Sequence, residues 1–443
     1  MTDTVKHVLG RRAMLMMTAA MAPLALAGCD DTKKVKIAGL QVPVLPVTAP
    51  LEPAVDAPAV KIPAATALAD WPQYMANTEH APGNAAGPAG MTQSWRADIG
   101  EAGGYRQPLQ ASPVLAEGKV FTMDANGNVS AFSANGGARL WRTYTRPKHT
   151  TVINIGGGIG YDSGILYAST GYSELLAIDP ASGKINWRQT LDFAPRSAPS
   201  IGDGLVAVIC QNDLLLTFDA KSGAPGWRFL GQVTPAAASA AVIGAPAIAA
   251  GIVVAGFSSG TLAALNANSG TPVWEQSFAA SYAGTVSFSD ITAAPVIANG
   301  VVYAIGLGGS MQAIDLRSGA KVWERSAAGS QPIYAAGGFV FVLDANQKLA
   351  AIHADDGLVT WAVQIPNFKN MKKKKNPIVW AGPMMLNGLL VLTSDHGDIA
   401  MVDPADGSIK STAKIDGPAD LPPIAAGGLL LQLTRNATLT AYS

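Results

Sequence analysis

The stretch Leu176-Ala177-Ile178-Asp179-Pro180-Ala181-Ser182-Gly183-Lys184-Ile185-Asn186-Trp187 decides how this chain folds. A short apolar run ends in an aspartate. A glycine follows four residues later and a tryptophan four residues after that. The acid accepts local backbone hydrogen bonds and opens a turn. Glycine supplies a position with φ > 0. A second strand then carries the tryptophan, so the stretch reads as a β-hairpin with a short loop.

The same pattern recurs along the chain. Trp141, Trp187, Trp227, Trp274, Trp323 and Trp361 are spaced by 46, 40, 47, 49 and 38 residues. Four residues before them stand Gly137, Gly183, Gly223, Gly270, Gly319 and Gly357, and eight before them Ser133, Asp179, Asp219, Asn266, Asp315 and His353. A seventh copy, Asp403 to Gly407, has Ser411 where the tryptophan is expected. Units open with a small or polar residue and a proline before an apolar strand, as at Ser112-Pro113-Val114 and Ala294-Pro295-Val296, and Asn299-Gly300 then turns into Val301-Val302-Tyr303. Four short strands repeating in this way are the signature of a propeller blade.

Counting the units gives seven complete copies and two fragments. The last residues, Leu439 to Ser443, match a third strand, and a spare tryptophan strand, Gln93-Ser94-Trp95-Arg96, lies ahead of the first unit. Joined, they make an eighth. The expected fold is therefore all-β: an eight-bladed β-propeller of four-stranded blades over residues 71–443, closed by pairing of the N-terminal Trp95 strand with the C-terminal strands. Closure hides edge strands that an open sheet would expose. Trp95 and the six repeat tryptophans are read as structural, each packing between neighbouring blades. Trp71 and Trp380 fall outside the register. Trp71 is expected to pack the incoming chain onto the ring, and Trp380 to precede the first strand of the seventh unit.

Composition narrows the function. The 443 residues are 49% hydrophobic and 14% charged, with Lys+Arg 31 against Asp+Glu 31. A net charge of zero argues against a nucleic-acid surface, and this hydrophobicity excludes wholesale disorder. The two cysteines, Cys29 and Cys210, give no disulfide framework and no cysteine-rich zinc site. Cys210, among apolar residues, reads as a small buried hydrophobe. No catalytic pair, metal cluster or phosphate loop stands out, so no catalytic residue, metal ligand or cofactor is assigned. The glycine-rich Gly156 to Gly160 run precedes a strand rather than a helix, which argues against a dinucleotide loop.

The N-terminus reads as an address. Lys6, Arg11 and Arg12 precede the apolar run Ala13 to Leu26, followed by Leu26-Ala27-Gly28-Cys29. A basic region, a short apolar region and small residues before a cut site make a secretory signal over residues 1–28. The last four residues resemble a bacterial lipobox, which implies cleavage before Cys29 and its acylation. An ordinary signal peptide is the alternative, and the Arg11-Arg12 pair leaves twin-arginine export open. Asp30 leaves an inner-membrane destination open beside the outer membrane. Residues 29–70, with Pro43, Pro46, Pro50, Pro53, Pro58 and Pro63, read as an extended tether of up to ~100 Å.

The motif A-x-D-x-x-x-G-x-x-x-W resembles the PQQ-type repeat of quinoprotein dehydrogenases, which offers an enzyme as one reading. The adjacent cysteine pair of those enzymes is missing here, and the turn aspartates are engaged at hairpins. A closer resemblance is to the BamB family of outer-membrane assembly lipoproteins. It is carried by the lipobox, the linker and the ordered repeats, most specifically Ser289 to Tyr303 and Ala313 to Trp323. This resemblance implies a non-catalytic scaffold in the periplasm, lipid-anchored at Cys29. It also implies binding to the POTRA domains of a BamA-like barrel protein and to other assembly subunits, through loops joining consecutive blades. An acidic residue before a blade's first strand contributes in that family, and Asp290 matches it, with a turn-capping role equally open. The family's neighbouring loop carries leucines and an arginine, whereas Ala236 to Val242 is mostly alanine here. The run Lys372, Lys373, Lys374 and Lys375 reads either as a solvated loop or as a contact for an acidic partner or anionic lipid. A generic periplasmic adaptor is the third reading.

Overall fold

A computed structural model describes residues 49–232, 244–278 and 290–443. The strand order in each sheet follows the repeat. In the unit that holds Trp187, the strands Gly157–Asp162, Ile165–Thr170, Glu174–Ile178 and Ile185–Thr190 pair antiparallel with their neighbours in chain order. The outermost strands of the other units are Arg139–Thr143, Pro225–Leu230, Pro272–Ser277, Lys321–Ser326, Val359–Gln364 and Ile409–Lys414. Each sheet is named below by its tryptophan, and the seventh by Ser411. The remaining sheet joins the two ends of the described chain, in the order Gln93–Asp98, Thr438–Tyr442, Leu429–Leu433, Ile424–Ala426, with Trp95 opposite Ala441. The architecture is all-β: among the described residues there are seven four-stranded sheets, the Ser411 sheet extended to six strands by Thr66–Ala67 and Ala85–Ala86, and one two-stranded hairpin.

The turn chemistry is as the motif requires. Asp179 Oδ1 accepts hydrogen bonds from the Ala181 and Ser182 amides and from the Ser182 hydroxyl, and the Gly183 amide bonds Asp179 O. The Ser182 hydroxyl leads in holding this carboxyl below its usual range, and Asp219 and Asp315 repeat the arrangement with Ser222 and Ser318. The alanine of A-x-D also has a place. Ala131, Ala177, Ala264, Ala313 and Ala351 lie directly across from Trp141, Trp187, Trp274, Trp323 and Trp361, and the register slips just after each of them. A small residue there leaves room for the indole of the opposing strand.

Each tryptophan packs on the glycine of the next unit, not of its own. A Cβ at Gly137 would lie 2.5 Å from Trp95, one at Gly183 2.6 Å from Trp141, and one at Gly357 2.7 Å from Trp323. Gly223, Gly270, Gly319 and Gly407 meet Trp187, Trp227, Trp274 and Trp361 in the same way. The indole N–H usually donates to a carbonyl in that same turn: Trp95 to Ala134, Trp274 to Leu316, Trp323 to Ala354 and Trp361 to Pro404, at 2.7–2.8 Å. At Trp187 the equivalent carbonyl, Ala220 O, accepts the Tyr167 hydroxyl instead, and the indole N–H is left without an acceptor.

Two expectations are refined, and the one for Trp71 agrees with the structure. Residues 49–70 are docked rather than extended into solvent, so the folded unit takes in residues ahead of residue 71. The Ser326 amide bonds Ala49 O, the Ala54 amide bonds Val359 O, and the Thr360 hydroxyl bonds Pro58 O. Leu51 is buried. Proline lacks an N–H but keeps its carbonyl, so a proline-rich strand still suits an exposed sheet edge that offers donors. Trp380 is the first residue of the strand Trp380–Leu386 rather than a residue ahead of it. Trp71 is buried and exchanges both backbone hydrogen bonds with Leu115, at 2.7 and 3.0 Å.

Beyond Trp71 the chain touches the innermost strand of one sheet after another. Pro72 O accepts from Tyr161 N, the Gln73 side chain pairs with both backbone groups of Ile201, Thr78 O accepts from Ile248 N and Glu79 O from Ile297 N. Gly83 O accepts from the Tyr334 hydroxyl, and Ala85 pairs with Leu386. Leu68 O, just upstream, accepts from Gly427 N. Thr66–Ala67 and Ala85–Ala86 then pair parallel with each other. Residues 66–86 thus form a strap whose two ends meet.

Candidate interaction surface

The antiparallel order puts three features on one face of each sheet: the loop leaving its outer strand, the loop entering its inner strand, and the turn between its second and third strands. Large apolar side chains are exposed in these loops: Tyr105, Tyr144, Val152, Phe193 and Val379. Connecting loops are where binding residues concentrate, which makes this the candidate interaction face. The loop segments 233–243 and 279–289 lie outside the described residues, and with them Ala236 to Val242 and Ser289. Cys29 lies outside them as well.

Asp290 is described, and it is 4% exposed. Its carbonyl accepts the Leu307 amide at 2.9 Å, and the Ile291 amide bonds Phe257 O at 3.1 Å. Burial raises its carboxyl above the usual range, and the nearby charge of Asp213 adds to this. Asp213 is itself buried, with its carboxylate held by the Ser258 amide at 3.0 Å and hydroxyl at 2.7 Å. The two acids sit at the base of the interaction face. Sequence reasoning identified Asp290 but not Asp213, which carries no motif; only the folded chain makes them neighbours.

The lysine run is a hairpin. Phe368–Asn370 pairs with Lys375–Pro377, and Lys372, Lys373, Lys374 and Lys375 are all exposed. It belongs to the loop between the Trp361 and Ser411 sheets. Asp290 and the lysines therefore stand in different inter-sheet loops, and no hydrogen bond or ion pair among the described residues links them.

Inside the strap lies a small apolar cavity of about 20 Å³, lined among others by Trp71, Tyr74, Met75, Tyr334, Pro383 and Pro422. That is room for one or two waters. Its lining includes no carboxylate, amide or basic side chain. A quinone with its calcium needs several oxygen ligands, which this small cavity does not offer; a larger cavity of about 260 Å³, lined among others by Glu79, Asn299, Asp315 and Arg317, opens beside the strap. Gly157 begins a first strand, and a Cβ there would lie 2.1 Å from Ser169 O, so the glycine run serves close backbone approach. Cys210 is a buried free thiol whose pKa burial pushes up to about 12, which makes it a poor nucleophile. The strap itself was invisible to the repeat analysis; the out-of-register Trp71 was its one sequence signal.

Comparisons with known proteins agree with this architecture. A family model described as outer membrane protein assembly factor BamB matches residues 125–363, more than half of the chain. A protein of that name from Yersinia pestis is 26% identical over 363 residues, covering 80% of this chain and 88% of that protein. The crystal structure of BamB from Moraxella catarrhalis superposes with a TM-score of 0.67 at 19% identity, covering 80% of this chain and 100% of that one. A quinohemoprotein alcohol dehydrogenase from Pseudomonas putida superposes with a TM-score of 0.68 at 12% identity, covering 84% and 80%, which reflects the fold alone. The length of the sequence match and its coincidence with the tryptophan repeats place the chain in one family: it belongs to that of outer membrane protein assembly factor BamB.

Proposed function

We propose that this chain is a non-catalytic scaffold lipoprotein of the β-barrel assembly machinery. It is held at the periplasmic side of the outer membrane by an acylated Cys29, and the inner membrane is the alternative that Asp30 raises. It binds the POTRA region of a BamA-like barrel protein and assists insertion of outer-membrane proteins. The observation that carries this reading is the family match over residues 125–363. The eight sheets are the blades of one propeller, closed where the Trp95 strand pairs with the C-terminal strands. A strap of about twenty residues that meets the inner strands of eight sheets in turn supports that arrangement, because those strands must then converge on a common axis. The strap occupies the inner-strand side, which leaves the loops as the working surface.

The direct test is affinity capture of the lipidated chain from envelope extracts. Recovery of a POTRA-bearing barrel protein is expected. Recovery of unrelated proteins alone would sink the assignment. Asp290→Asn keeps the side-chain shape while removing the charge. It should reduce that recovery with an unchanged melting temperature or a higher one, and undiminished recovery removes Asp290 from the contact surface. Sustained dye-linked alcohol oxidation with added PQQ and Ca²⁺ would favour the enzyme reading instead.

A further inference from the structure

We propose that the lysine hairpin is a second membrane contact, laying Lys372–Lys375 and the side chain of Met371 against anionic phospholipid headgroups of the bilayer that holds the anchor. The inference rests on the lipid-anchored reading above.

The hairpin has the chemistry of such a contact. Lys369 and Lys372 to Lys375 are exposed, and none takes part in the ion pairs formed among the described residues. Met371, in the turn, is 49% exposed, so an apolar side chain stands amid the charges. Asn370 Oδ1 accepts from the Lys373 amide at 3.0 Å and fixes the turn. Basic side chains around an apolar tip suit a headgroup layer, where each lysine is attracted to anionic lipid and the tip reaches the acyl boundary.

The base of the hairpin is rigid and its position is informative. Gln364 Nε2 and Asn367 Nδ2 both donate to Asn346 O, and the Trp380 amide donates to Gln347 Oε1 at 2.7 Å. The hairpin is thus rooted on the turn that joins Phe339–Leu343 to Lys348–His353. The same turn receives the N-terminal segment: Lys348 Nζ donates to Leu51 O at 3.0 Å, and Ala49 O is held by Ser326 N beside it. The chain coming from the anchor therefore joins the fold at the root of the lysine hairpin. Residues 30–48 can span at most roughly 60 Å, which keeps the hairpin near the bilayer at high effective concentration. Lipidation combined with a polybasic patch is a stable two-signal arrangement.

The test uses the full lipidated chain. Met371→Cys accepts a polarity-sensitive fluorophore there, since Cys210 is buried and Cys29 carries the acyl groups. Flotation with vesicles of phosphatidylcholine alone reports the anchor independently; failure to float overturns the anchored reading and the proposal with it. With the anchor intact, adding phosphatidylglycerol should shift the emission to that of an apolar environment, and high salt should reverse the shift. Replacing the four lysines (Lys372→Gln, Lys373→Gln, Lys374→Gln, Lys375→Gln) should cut the headgroup-bound population by about tenfold or more while flotation and melting temperature are retained. Flotation without any dependence on phosphatidylglycerol, the same shift in the glutamine variant, or a shift only when an acidic partner protein is added would each overturn the proposal.

Discussion

His80 shows how a single buried side chain couples this fold to pH. It is 1% exposed, its Nδ1 lies 2.8 Å from Pro295 O, and Tyr74 meets its ring edge-on. A carbonyl only accepts, so Nδ1 carries the proton and donates. Burial lowers the imidazole pKa from 6.5 to about 4. The unfolded chain therefore takes up this proton at higher pH than the folded one. Stability is complete above pH 6.5 and is lost as pH falls from there towards 4, by about 3 kcal/mol from this group. The turn aspartates have depressed pKa values, so their contribution is lost only at lower pH. Denaturant melts at several pH values should show the higher step, and His80→Gln should remove it while leaving the lower one. An unchanged profile in that variant would mean another group titrates.

At the scale of the element, the tryptophan–glycine contact explains which repeats keep their tryptophan. The indole of one unit needs the turn glycine of the next. The unit after Ser411 has no such turn, because its third strand ends at Tyr442 and its fourth is the distant Gln93–Asp98. A tryptophan at position 411 would face no glycine. Ser411→Trp should therefore change stability by less than about 0.5 kcal/mol, as exposed substitutions do, whereas Trp323→Ala should cost about 3–5 kcal/mol. Thermal unfolding of the two variants checks this, and a large gain from Ser411→Trp would contradict it. The strap has its own test. Gln73 stands in for a backbone segment by satisfying both polar groups of buried Ile201 at 2.8 Å. Gln73→Ala leaves both unpaired and should cost about 2–4 kcal/mol in denaturant titration, while a neutral result would mean the strap does not hold the inner strands.

For the whole molecule, strands from near both ends of the described chain meet in one sheet, while the strap runs along the inner strands of the others. The C-terminal strands supply three members of one sheet and Gln93–Asp98 the fourth, so unfolding from either end breaks that sheet. The docked residues 49–58 cover outer edges of the Trp323 and Trp361 sheets. The capture and vesicle experiments therefore address one folded body that begins by residue 49.

The sequence by itself determined the repeat: its turns, its four strands, the tryptophans and the split unit at the ends. These depend on local physics, because a capping acid, a glycine with φ > 0 and alternating apolar residues act within a dozen positions. Tertiary structure decided what lies between distant residues. It showed that each tryptophan seeks the next unit's glycine and that half of the proline-rich segment docks. It also showed that residues 66–86 visit the inner strands and that Asp213 stands beside Asp290. None of these leaves a periodic signal, since hydrogen bonds to exposed strand edges and pairings across hundreds of residues require only that donors and acceptors meet in space.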